Sequence, residues 1–181
     1  VLSRCAEPAE PAQLRILPRP GILAPPRSRT FADHRANLGA VAHYIGDGRA
    51  AVGMDDSLAQ LASFQRFHMR PGGLGVPDGA SDIGYNFAIP RGVEPGTVIT
   101  LRGFGVRGAH AGNNTANGLL GILVMFGADD DGPSADQLTT LSLFCAAHAR
   151  GRLTGHREWS PTSCPGVLQE WIEDHRLPRA A

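Results

Sequence analysis

The stretch NGLLGILVMFG, residues 117–127, contains no charged side chain and a single polar one, Asn117. It is too short to cross a bilayer, which takes about 20 apolar residues. Its Leu, Ile, Val, Met and Phe must therefore be buried inside a protein, and on both faces, because no polar position alternates with them to meet water. A strand buried on both faces lies in the middle of a sheet and needs other elements above and below it. The rest of the chain has to supply them.

It does so in a regular order. LGAVAHYI (38–45) is a short apolar run rich in β-formers and bounded by Gly, the pattern of a second buried strand. DDSLAQLASFQRFHM (55–69) carries apolar residues near helical spacing, and Asp55, Asp56 and Ser57 suit the cap and the positive dipole end of its N-terminus. PGGLGVPDGAS is loop, and IGYNFAIP and GTVITLRG are two strands joined by a Gly/Pro turn. SADQLTTLSLFCAAHARG (134–151) reads as an amphipathic helix with Ser134 as cap and Gly151 as stop. RLTGH returns as a strand, and CPGVLQEWIEDHR closes as a helix. The order β-α-β-β-β-α-β-α predicts an α/β fold, a central mixed sheet flanked by helices.

The leader is different. Residues 1–29 carry prolines at 8, 11, 18, 20, 25 and 26, which suppress helices and sheet ladders and predict a linker or an extended arm. LRILPRPGIL within it is apolar enough to pack along the domain. The folded unit is expected over 30–181. A chain of 181 residues beginning with Val, without a basic-then-apolar start, shows no signal peptide and reads as a fragment or a processed chain. Seventeen basic residues, all of them Arg, balance seventeen acidic ones, so no net field draws in nucleic acid or an anionic membrane.

Three cysteines, Cys5, Cys145 and Cys164, are too few and too scattered for a disulfide framework. Cys145 sits in an apolar helical run as a small core residue. Cys164 has no such company: it lies between two prolines in GHREWSPTSCPG, eight residues after His156. A soft donor held in a loop near an imidazole suits zinc, which takes Cys, His and carboxylate ligands. The chain offers further histidines at 34, 43, 68, 110, 148 and 175. His43 stands out, because an imidazole inside the apolar VAHYI is costly unless paired. Taken singly, a strand histidine is more often a satisfied structural residue, and the His-to-Cys spacing alone is a weak signal.

SDIGYNFAI (81–89), GAHAGNN (108–114) and GHREWSPTSCPG (155–166), with VAHYI and FQRFHM before them, resemble in sequence and order the motifs of type 2 N-acetylmuramoyl-L-alanine amidases, which share their fold with peptidoglycan recognition proteins and small phage endolysins. The resemblance spans roughly residues 36–172. It implies a zinc ion held by His43, His156 and Cys164 with water in the fourth position. It implies Tyr85 as the catalytic tyrosine beside the metal, and Thr162 in a place where some relatives carry a catalytic Lys and many a Thr. His110, Asn113 and Arg102 fall where the family contacts substrate, with His110 either such a contact or an ordinary surface histidine. Glu158 is either a partner orienting an imidazole or a surface charge.

Two departures matter. Some members use a Glu on the strand matching 117–127, and none is present here; the family's Gly-Arg-Gly is reduced to LRG, keeping Arg102. The function implied is hydrolysis of the amide between N-acetylmuramic acid and L-alanine in peptidoglycan. The competing expectation is a non-catalytic module binding the same muropeptide, but family members without activity typically lack the cysteine ligand. A monomer acting on the bacterial wall is expected, fused to other lysin domains and made in a host cytoplasm as a phage endolysin, or otherwise a bacterial autolysin.

Overall fold

The computed structural model describes residues 12–30, 39–150 and 152–175. Cys5, His34, Gly151 and the first residue of the 38–45 run lie outside them. Nine principal elements follow in order: β1 (Arg15–Leu17), β2 (Ala40–His43), α1 (Met54–Met69), β3 (Phe87–Ile89), β4 (Thr97–Thr100), β5 (Leu120–Val124), α2 (Ala135–His148), β6 (Leu153–Gly155) and α3 (Leu168–Asp174). After β1, this is the order the sequence predicts. The six strands form one mixed sheet, β1-β4-β3-β5-β2-β6, in which β3 and β4 are antiparallel and every other pair is parallel.

β5 is internal and all five of its residues are buried. Strand alternation divides its side chains between two layers. Leu120, Ile122 and Val124 join Ala40, Ala42, Phe87 and Ile89 in packing on Leu141, Phe144 and Cys145 of α2 and on Leu168 and Ile172 of α3. Leu123 faces the other way, with Ala88 and Ile99, onto Leu61 and Ala62 of α1. The same alternation on β2 sends Ala40 and Ala42 to the α2/α3 layer and leaves His43 on the opposite face.

Element ends differ from expectation in ways that have causes. The 117–127 run is a strand only over its middle: Ala116–Gly118 is a 3-10 turn, and Met125 and Phe126 are buried just past the ladder. The N-cap of α1 is Gly53, with Asp55 and Asp56 in the first turn near the helix dipole and not at the cap. Ser134 caps α2, accepting from Gln137 N at 3.2 Å while Gln137 Oε1 accepts from Ser134 N. α3 begins at Leu168, because 156–158 and 164–167 are turns.

The described part of the leader lies along the domain. β1 pairs in parallel with β4 at the sheet edge, where Pro18 just beyond it costs no ladder bond. Leu23 is 5% exposed and packs with Leu61, Ile99 and Leu101. Gln65 clasps Ala24 on both sides, accepting from its N–H at 2.8 Å and donating to its carbonyl at 2.9 Å. Arg19 pairs with the buried Asp82 at 2.8 Å.

Candidate metal centre

His43 ends β2, and His156 follows β6, its parallel neighbour. The register pairs Ala42 with Gly155, so the two histidines occupy the next, equivalent positions at the carboxyl ends of adjacent strands. Their ring centroids are 4.6 Å apart, close to the spacing of neighbouring strands, about 4.8 Å.

The loop beyond His156 folds back because Arg157 holds it. The Arg157 N–H donates to the Cys164 carbonyl at 2.9 Å, and its guanidinium donates to the Ser163 and Gly166 carbonyls at 2.8 and 3.2 Å. Glu158 closes the turn that carries His156: its Oε1 accepts from Gly155 N at 2.7 Å and from Gln169 Nε2 at 3.2 Å. It therefore orients His156 through the backbone.

Cys164 Sγ ends 3.6 Å from His43 Nδ1, and the donor atoms of His43, His156 and Cys164 all lie within 4.8 Å of one another. Zinc–sulfur and zinc–nitrogen bonds of about 2.3 and 2.0 Å at a tetrahedral angle put S and N about 3.5 Å apart, so the Cys164–His43 pair is spaced for a shared ion. Two imidazoles and a thiol are a borderline-soft set that suits zinc over magnesium or calcium. Three protein donors leave a tetrahedral site one open position, the arrangement of catalytic centres.

The electrostatics agree with that fit. Burial, then the neighbouring His110 and His156, hold His43 well below the ordinary imidazole range, so it is neutral with a lone pair to give. Burial lowers His156 too, against the opposing pull of the Ala111 carbonyl. Burial pushes the Cys164 thiol up to about 11, with the Tyr44 backbone and Arg157 opposing, so metal entry must displace a proton.

Tyr85, just before β3, tilts against His43 with ring centroids 5.1 Å apart. Burial, and then the charge of Cys164, raise its hydroxyl above the ordinary phenol range, which keeps it a neutral donor. Thr162 stands exposed on the loop that carries Cys164, its Oγ1 accepting from Cys164 N at 3.2 Å.

The three residues expected to meet substrate are placed differently from one another. The Arg102 guanidinium donates to the carbonyls of Ile83, Arg107 and Asp82, stitching the loops beside Tyr85. Asn113 turns the 113–116 loop, its Oδ1 accepting from Thr115 and Ala116 N–H. His110 is 7% exposed and lies behind His43, its Nδ1 3.0 Å from His43 Nε2. Sequence reasoning passed over Arg157 and also Asn86, a buried amide donating to the Gly103 and Val106 carbonyls and accepting from Gly121 N. A lone Asn inside the apolar run IGYNFAIP, just before β3, was the available signal for Asn86.

No family model and no curated protein matches the chain. Solved structures do. Wild-type Drosophila PGRP-LB superposes with a TM-score of 0.75 at 24% identity, over 93% of this chain and 99% of that one. The Drosophila peptidoglycan recognition protein SD gives 0.73 at 25% identity, over 93% and 98%. PGRP-LE, solved with tracheal cytotoxin, a monomeric diaminopimelic acid-type peptidoglycan, gives 0.73 at 21% identity, over 90% and 95%. The fold is that of the peptidoglycan recognition proteins, an amidase-like α/β domain.

Proposed function

We propose that this chain is a zinc-dependent amidase that cleaves the bond between the lactyl group of N-acetylmuramic acid and L-alanine in bacterial peptidoglycan. The observation that carries the reading is the three-donor cluster of His43, His156 and Cys164, whose ligand atoms lie within 4.8 Å of one another and could hold one ion, leaving a tetrahedral site one open position. The likeness to PGRP-LE, whose structure holds a peptidoglycan fragment, supports the substrate class.

Bound there, zinc would polarise the scissile carbonyl and lower the pKa of water at the open position towards neutrality. His43 and His156 give neutral nitrogens, and Cys164 as thiolate offsets part of the ion's charge. The Tyr85 hydroxyl, held protonated, hydrogen-bonds the carbonyl oxygen as negative charge gathers on it. The Thr162 hydroxyl, accepting from Cys164 N, keeps its own hydrogen for a second such bond. The cluster contains no carboxylate pair, which glycoside hydrolysis usually requires. Charge developing on a single oxygen suits an amide. We place the enzyme at the bacterial wall as a monomeric module of a larger lysin of phage or bacterial origin.

Digestion of purified peptidoglycan tests this. New L-alanine amino termini should appear as turbidity falls, without new reducing sugar ends. Reducing ends without alanine amines would refute the amidase, and new amines on other residues would indicate an endopeptidase. Tight muropeptide binding with no new termini would mark a non-catalytic recognition module.

A further inference from the structure

His110 is not a member of the three-donor cluster, yet it touches it from behind. Its imidazole sits in a slot that two glycines make possible: a Cβ on Gly108 would stand 2.7 Å from His110 Nε2, and one on Gly121 2.6 Å, both below the 3.0 Å that real Cβ atoms respect. Gly121 lies on β5 opposite Val41 of β2, so the slot belongs to the sheet itself. The ring is fixed in place before any ligand arrives.

Two hydrogen bonds run from the ring. Nε2 meets the Leu119 carbonyl oxygen at 3.4 Å, and Nδ1 meets His43 Nε2 at 3.0 Å. A carbonyl accepts and cannot donate. His110 Nε2 therefore carries the hydrogen, and Nδ1 of the neutral ring carries the lone pair. His43 Nε2 must then be the donor between the two rings. That leaves the lone pair of His43 on Nδ1, the nitrogen facing Cys164 Sγ. The proton order of the chain Leu119–His110–His43 is set at its far end by a peptide group with one possible role.

We propose that His110 is a positioning residue that sets the tautomer of His43, holding the Nδ1 lone pair open towards the metal position. The proposal rests on the reading of His43, His156 and Cys164 as a metal centre. It gives the buried GAH histidine a task at the centre without a contact to substrate. Partners of this kind behind ligating histidines typically change metal affinity by about 10- to 100-fold when removed.

The test begins with the metal-free wild-type protein, uniformly labelled with 15N. Long-range 1H–15N spectra at neutral pH should show His43 and His110 both as Nε2–H tautomers. A hydrogen on Nδ1 of either ring overturns the proposal. Zinc affinity by chelator competition should then fall about 10- to 100-fold in His110→Leu. It should stay within a few fold of wild type in His110→Asn, whose Oδ1 replaces the Nδ1 acceptor. Wild-type affinity in His110→Leu, or an Asn variant as weak as the Leu variant, overturns it. Should His110→Leu fail to fold, the wild-type tautomers and the Asn variant decide. A wild-type protein that takes up no zinc would sink the metal reading, while the tautomer spectrum would still judge His110.

Discussion

His68 gives a quantitative handle on the packing beside the centre. It is 6% exposed at the inner face of α1, its Nδ1 accepts from Gly84 N at 3.0 Å, and its ring lies 5.7 Å from that of Tyr85. Burial, with a smaller push from Arg102 and against the pull of Asp82, lowers its pKa from 6.5 to about 4. A histidine depressed in the folded state binds its proton more readily when unfolded. Its contribution is therefore fully present above pH 6.5 and is lost as pH falls towards 4. The gap of roughly 2.5 units corresponds to about 3 kcal/mol in full, of which about 2 kcal/mol is gone by pH 5. In His68→Asn, the amide oxygen still accepts from Gly84 but does not titrate. Urea unfolding of both proteins with chelator present, from pH 7.5 to 5, should show the wild type losing about 2 kcal/mol relative to the variant. Parallel stability profiles would refute the premise that His68 is buried neutral.

Two substitutions and one truncation probe other parts of the molecule. Cys164→Ser should weaken zinc binding at least tenfold while leaving a folded chain, since a hydroxyl lacks the charge and softness of a thiolate; full zinc occupancy with unchanged activity would remove Cys164 from the ligand set. Tyr85→Phe should keep zinc and fold but lower turnover about ten- to a thousandfold, and wild-type turnover would reduce Tyr85 to a packing residue. Removal of residues 1–29 strips β1 from the sheet edge, uncovers the site of Leu23 and takes Arg19 from Asp82, so it should cost at least about 3 kcal/mol in denaturant unfolding; a loss below about 1 kcal/mol would show the arm to be dispensable.

How much of this was legible in the sequence depended on the kind of signal each residue sends. The 117–127 run announced a central strand through hydrophobicity, but hydrophobicity reports burial and not pairing, so the ladder stops at Val124 while Met125 and Phe126 stay buried. His43 was legible because an imidazole in an apolar strand is an anomaly. Cys164 was legible mainly through its motif. The strand pairing of β1 was hidden because prolines dominate the leader, yet the three residues before Pro18 suffice for an edge. The burial of His110 was hidden more thoroughly. Its Gly-rich loop reads as exposed, and the slot is completed by Gly121, which lies in the next strand and looks like any strand glycine. Arg102 was legible only as the remnant of a family motif, and its three bonds to backbone carbonyls depend on loops whose approach no local pattern encodes.

The three candidate metal donors are not held alike, and the difference predicts how the centre would respond to loading. His43 ends a strand paired on both sides, with β5 through four residues and with β6 through three, and His156 directly follows β6. Their separation is a property of the sheet. Cys164 depends on an exposed loop whose closure rests on Arg157 and on local turns such as Gly166 N to Ser163 O at 2.7 Å. Opening that loop exposes little apolar surface, whereas moving His43 would break the core ladder. Hydrogen exchange of the metal-free protein should therefore be fast over residues 160–166 and slow over Ala40–His43. Zinc should slow the first segment by at least an order of magnitude and leave the second nearly unchanged. Zinc-dependent protection of Ala40–His43 equal to that of the loop would show that the sheet does not preform the histidine pair.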